Sequence, residues 1–190
     1  MKPILFATIE VTRQVFFRTP LSYAIVNLKP IVPGLLEQDV LVIPRRVVTR
    51  LKDLESHELA DLMLSVQRVG NVIERVYGAD ALTVACQDGK AAGQTMPHVH
   101  FHLLPRKQRG DRFEGNNDEV YPEIERATKT MPEEFQAANS TLSKARLDQS
   151  AEPLKVDADE DRKPRAVDEM EKEAKWLQSF FTDVDGQEID

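Results

Sequence analysis

Apolar residues recur with two different periods along the chain. Gln14–Arg18 and Ser22–Val26 are short β-branched and aromatic runs, and Thr19-Pro20 between them is a turn signal. Lys29-Pro30 and Pro33-Gly34 interrupt the chain next, and Asp39–Pro44 follows as a third extended run. The period then changes. Leu59, Leu62, Met63, Val66, Val69, Ile73 and Val76 recur every three or four residues, which predicts one buried helical face over residues 56–77. Ser56 is its expected N-cap and Gly78 its expected stop. Two further strands are predicted, Ala81–Cys86 and Val99–Leu104, joined by the small-residue loop Gln87–Pro97. Strands before and after one long helix, without regular alternation, predict an α+β fold with an antiparallel sheet of about five strands.

Beyond Pro105 the pattern thins. Glu119–Lys129 reads as a short helix. Residues 136–163 contain no aromatic residue and include the acidic run Asp157–Asp161, so residues 131–163 are expected to form an acidic, disordered insert. The insert would divide a body, residues 1–130, from a terminal segment, residues 164–190. There Val167, Met170, Ala174, Trp176, Leu177, Phe180 and Phe181 mark an amphipathic helix expected to dock back on the body ahead of a short tail.

Composition narrows the function classes. With 41% apolar and 30% charged residues the chain is ordinary for a globular protein. No apolar run approaches the ~20 residues that cross a bilayer, so no membrane partner is expected. Met1–Phe6 lacks the apolar core of a secretory signal. One cysteine, Cys86, excludes an internal disulfide framework and a Cys-based zinc cluster, which points to a reducing compartment, cytosolic or nuclear. The net charge of −7 is unevenly divided: residues 1–105 sum to +1 and residues 106–190 to −8, so the body need not repel a phosphorylated ligand. No basic stripe with interleaved aromatics is present, and Arg45-Arg46 and Arg106-Lys107 read as solvated surface, so no nucleic-acid partner is expected.

Three of the four histidines are His98, His100 and His102. On a strand they share one face at intervals of roughly 7 Å, while Val99, Phe101 and Leu103 take the other. Three imidazoles on one wall are poor core filling, since each brings two ring nitrogens that need partners. His57, near the start of the long helix, reads as an ordinary structural residue. The trio leaves two readings open. One is a metal site, which needs a further ligand from another segment. The other is phosphoryl or nucleotidyl transfer with a histidine nucleophile, flanked by groups that bind the non-bridging oxygens. Gly93-Gln94-Thr95, directly before the trio, offers backbone N–H groups and two polar side chains for that purpose.

His98-Val99-His100-Phe101-His102-Leu103-Leu104 resembles the motif that names the histidine triad (HIT) superfamily. Leu28–Gly34, Gln87-Asp88-Gly89, Ala92–Thr95 and Leu104–Lys107 are similar to the Fhit branch, the dinucleoside polyphosphate hydrolases. The resemblance runs from about Phe6 to Glu125 and resumes faintly from Pro164 to Phe181. It implies a HIT-like fold and bis(5′-adenosyl)-triphosphatase activity, diadenosine triphosphate plus water giving AMP and ADP. By resemblance His100 is the nucleophile that holds AMP covalently, His102 a phosphate-binding partner, and His98 a support whose segment fixes the nucleophile's tautomer. Gln87 and Gln94 match phosphate-contacting glutamines, Gly93, Thr95 and Met96 the rest of the binding loop, and Asn27 the asparagine that holds the ribose. Asn27 and Gln87 also have plain structural readings, as a strand end and a turn residue. The resemblance further implies Mg²⁺ or Mn²⁺ on the substrate phosphates, no tightly bound metal, and a homodimer.

Two departures accompany it. The family usually reads Pro-Gly-His-Val-Leu where this chain has Pro33-Gly34-Leu35-Leu36-Glu37-Gln38-Asp39-Val40-Leu41: the histidine is missing and about four residues are added. The acidic insert is the second. Tyr121 resembles a family tyrosine that can be phosphorylated. Other readings stay open, namely a nucleoside phosphoramidase, a dinucleoside polyphosphate phosphorylase, or a nucleotide-binding signalling module with slow hydrolysis.

Overall fold

The computed structural model describes residues 2–28, 39–145 and 165–181. A small hairpin, β1 (Leu5–Phe6) and β2 (Ile9–Glu10), precedes β3 (Val15–Arg18), β4 (Ser22–Val26) and β5 (Val40–Pro44). Helix α1 (Ser56–Tyr77) follows, then β6 (Ala81–Ala85) and β7 (Phe101–Arg106). Helices α2 (Val120–Ala145) and α3 (Val167–Gln178) complete the described chain. Strands β3 to β7 form one antiparallel sheet in the order β3-β4-β5-β7-β6, the α+β arrangement the residue pattern predicts.

The register assigns the two faces, because directly paired residues point the same way. Ile25, Leu41, His102 and Ala85 make one row across four strands, and Val26, Val40, Leu103 and Val84 make the next, on the opposite face. Helix α1 lies on the Leu103 face: a Cβ added at Gly70 would come within 2.9 Å of Leu82 and 3.9 Å of Leu103. Leu62, Val66, Val69 and Ile73 are buried there. Helix α3 packs on β3, β4 and the turn at Thr12–Gln14, and its Trp176 ring meets Tyr77 at the end of α1. The His102 face is covered by the β1–β2 hairpin and α2. Val120, Ile124 and Ala127 bury Leu104, while Met131 and Phe135 join the main core with Phe6.

Several boundaries differ from the sequence pattern, each for a local reason. The cap of α1 is Glu55, one residue before Ser56: the Glu58 carboxylate accepts the Glu55 backbone N–H at 2.9 Å while also pairing with Arg46. The helix ends as expected, at a left-handed Gly78. Leu59 and Met63 fall off the buried stripe and stand 39% and 43% exposed. Strand β7 begins at Phe101, two residues later than expected. Pairing with β5 ends at Val42–Phe101, and the Pro44 carbonyl beyond it is taken by the His98 side chain. Helix α2 is the largest difference. It runs 26 residues, through Pro132, where a short helix ending near Lys129 was expected, so residues 131–145 of the expected insert are helical. Val120, Ile124, Ala127, Met131 and Phe135 continue one buried stripe at helical spacing, and that burial outweighs the breaking tendency of Pro132. The remaining insert residues, 146–163, the lengthened turn at 33–38 and the tail at 182–190 lie outside the described residues.

Candidate active site

The three histidines are brought together on the α2 side of the sheet, each at most 1% exposed. His102 sits in β7, His100 directly before it, and His98 at a bend two residues before His100. The rings of His100 and His102 meet edge to face at 5.2 Å, and Phe6 from the hairpin lies 5.3 Å from His100 and 5.8 Å from His98.

Hydrogen bonds fix two tautomers. Ala7 donates its backbone N–H to Nδ1 of His98 at 3.0 Å, so Nδ1 is an acceptor. Nε2 of His98 must then carry the proton, and it donates to the Pro44 carbonyl at 2.8 Å. Ala7 holds this position from a left-handed backbone, φ 53°. His98 next fixes its neighbour through its own main chain: its carbonyl lies 2.8 Å from Nδ1 of His100 and accepts the proton there. The consequence is chemical. Nε2 of His100 keeps its lone pair and has no hydrogen-bond partner. Burial, with His102 beside it, pushes the His100 imidazole down to about 3, and burial lowers His98 to about 4, so both rings are neutral at neutral pH.

The loop before the triad is braced from below. Asp88 takes both the Arg50 guanidinium, at 3.0 and 3.1 Å, and the Leu51 N–H at 2.9 Å. Gln94 accepts the Gly89 N–H and donates to the Thr49 carbonyl, each at 2.9 Å, so both ends of its amide hold the loop together. Gln87 is different. Its Oε1 is buried without a partner, and a Cβ at Gly93 would fall 2.7 Å from its Nε2. Gly93 also has φ +86°, so both conformation and space exclude a side chain there. Met96 is buried in the core. Thr95 donates its hydroxyl to the Thr128 carbonyl of α2 at 2.6 Å. That carbonyl is available because Pro132, four residues on, has no N–H to offer it.

A family model described as HIT domain matches residues 8–109. The chain belongs to the HIT family. It is 46% identical to a protein of Schizosaccharomyces pombe named bis(5′-nucleosyl)-tetraphosphatase [asymmetrical], over 98% of this chain and 99% of that one. It is 43% identical to the bifunctional bis(5′-adenosyl)-triphosphatase/adenylylsulfatase FHIT of Arabidopsis thaliana, over 89% of this chain and 78% of the relative. The fold matches the crystal structure of a Plasmodium falciparum diadenosine triphosphate hydrolase with a TM-score of 0.63, at 23% identity, over 96% of this chain and 86% of that one.

Within this HIT site the remaining sequence candidates separate. Asn27, at the end of β4, is buried, donates Nδ2–H to Asp39 at 2.6 Å and leaves Oδ1 without a partner. Tyr121 is 57% exposed on the first turn of α2. Among the described residues no group of three or more His, Cys, Asp or Glu side chains is arranged to hold a metal ion. Sequence reading missed Phe6, Ala7 and Thr128, which brace the triad and its loop. It noted Asp39 only as the start of the third extended run and as part of the lengthened turn.

Proposed function

We propose that this HIT protein hydrolyses dinucleoside polyphosphates through a nucleotidyl group carried on His100. The observation that carries the reading is the relay from Ala7 through His98 to His100, which commits Nδ1–H of His100 to a carbonyl and leaves Nε2 as a neutral nucleophile. Nε2 attacks the α-phosphorus, the bond from phosphorus to the bridging oxygen breaks, and that oxygen leaves with the electron pair and takes up a proton. The His98 carbonyl faces the ring as it becomes cationic, which stabilises the charge. Water then attacks phosphorus, the N–P bond breaks, and its electron pair returns to Nε2. With diadenosine triphosphate the products are AMP and ADP. Gln87 offers its amide N–H groups as donors to phosphate oxygens, and Asn27 Oδ1, which has no partner, accepts from a ribose hydroxyl.

A divalent cation, Mg²⁺ or Mn²⁺, belongs on the substrate's own phosphates, whose hard oxygens suit it better than neutral imidazoles do. The working unit is a homodimer. Leu64 on α1 and Val84 on the edge strand β6 are 57% and 45% exposed, and Leu59 and Met63 of α1 are also exposed. Replacing both Leu64 and Val84 with glutamate is expected to give a folded monomer by sedimentation, and an unchanged dimer would exclude this surface.

The test of the chemistry is a rapid acid-free quench with diadenosine triphosphate followed by mass spectrometry. One added AMP on His100 is expected, and H100N should lose at least ~10⁴-fold in kcat, the scale of nucleophile deletion, with substrate binding kept. Turnover by H100N at the wild-type rate would overturn the reading. The S. pombe relative's name favours one refinement, asymmetric cleavage of dinucleoside tetraphosphates. Comparing kcat/KM on diadenosine triphosphate and tetraphosphate decides the preferred chain length.

A further inference from the structure

Asp39 is a buried acidic residue that has no part in the chemistry proposed for His100. It leads into β5 at 1% exposure. Its carbonyl accepts the Asn27 N–H at 3.0 Å, and its Oδ2 accepts Nδ2–H of Asn27 at 2.6 Å. Its Oδ1 lies 3.4 Å from Nδ1 of His102, and both side chains are fully buried. Neither of these last two atoms has a hydrogen-bond partner. A buried acceptor and a buried ring nitrogen, each unpaired and this close, are complementary, and leaving either unmet is costly. A separation of 3.4 Å is long for a hydrogen bond, as such contacts often are before substrate tightens a site.

We infer that Asp39 is a positioning residue for the reaction, one whose carboxylate, anchored by Asn27, receives the Nδ1 proton of His102 and so turns Nε2 of that ring towards the substrate. The inference rests on the hydrolase reading and deepens it. Fixing the tautomer of His102 matters because only Nε2 then remains to meet the phosphoryl oxygens or the proton that accompanies the leaving group. Asp39 also couples two contacts in one side chain, since the same carboxylate holds the amide of Asn27 and the imidazole of His102. The register supports a rigid arrangement: His102 pairs directly with Leu41, two residues along from Asp39 on the same strand edge.

The test compares wild type, D39A and D39N by long-range ¹⁵N spectra of the imidazoles, by kcat and KM on diadenosine triphosphate, and by thermal melting. Wild type is expected to show His102 protonated at Nδ1. D39A should move the proton to Nε2 and lower kcat by about 10- to 100-fold with KM within about threefold, the size of a misplaced catalytic contact. D39N keeps an acceptor for His102, and Asn27 can present its unpartnered Oδ1 to the new amide. That variant should keep the Nδ1–H tautomer and most of kcat. Nε2–H in wild type, or D39A with unchanged kcat and spectrum, would overturn the assignment. If D39A fails to fold, D39N remains decisive, because loss of the Nδ1–H tautomer there also overturns it. Failure of the hydrolase reading is separate: it would show as no turnover by wild type, while the tautomer spectra still test Asp39.

Discussion

His98 spends both ring nitrogens and its carbonyl on positioning, one bond to the hairpin, one to β5 and one to His100. His98 and His100 are held neutral by burial, with folded values near 4 and 3. Both lie below the ~6.5 of an unfolded histidine, so the unfolded chain binds more protons between those limits. Their contribution to stability is therefore complete above about pH 6.5 and is lost as the pH falls towards the folded values, at up to about 1.4 kcal/mol per pH unit for each ring. Thermal melts at pH 7.5 and 5.0 should show this loss, and H100N should show a smaller one. Equal pH slopes in wild type and H100N would mean that the ring is not held neutral. The gathering of the three histidines was legible in the sequence because their period-two spacing places them together even where β7 has not yet begun. Ala7 and Asp39 were not, since their roles depend on contacts with residues 91 and 63 positions away.

At the scale of elements, α2 lies against both the loop before the triad and the hairpin residue Phe6. Thr95 of the binding loop is tied to the Thr128 carbonyl that Pro132 leaves open, and Phe135 packs at 5.9 Å on Phe6, which itself lies against His100. Nε2 of His100 is buried, so substrate entry is expected to need movement of the cover that Phe6 and Phe135 make. Phe135→Ala removes an anchor of the covering half. It should cost about 3–5 kcal/mol of stability, as aromatic truncations in cores do, and should speed association of a non-hydrolysable dinucleotide analogue in stopped flow. An unchanged association rate in the folded variant would show that α2 does not limit entry. Helix α1 and strands β4 and β5 were readable from periodicity because their apolar positions are dense. The second half of α2 was not: polar residues surround its sparse stripe, and Pro132 is a stop signal in the absence of the packing that overrides it.

Across the whole molecule the sheet separates two tasks. Helices α1 and α3 bury the Leu103 face, and the three histidines occupy the other, under the hairpin and α2. Among the described residues, Arg165 joins the terminal segment to Asn27. Arg165, just before α3, donates to the Asn27 carbonyl and pairs with Glu173, which accepts the Tyr77 hydroxyl at 2.8 Å from the end of α1. Asn27 is thus held by Asp39 through its amide and by Arg165 through its carbonyl. Loss of a charge-assisted bond of this kind costs about 1.5–3 kcal/mol. Since the stripe of Met170, Ala174 and Leu177 is buried independently of it, α3 should stay docked in Arg165→Ala. The variant should therefore raise KM for diadenosine triphosphate by roughly fivefold or more, with kcat within about twofold, because a slackened Asn27 weakens binding without touching His100. The contrasting substitution is Leu177→Ala, which should lower the melting temperature through a cavity worth about 2–5 kcal/mol while leaving KM near wild type below the melt. If Arg165→Ala lowers the melting temperature as far as Leu177→Ala and leaves KM unchanged, the terminal segment is a brace for the fold and has no reach into the site.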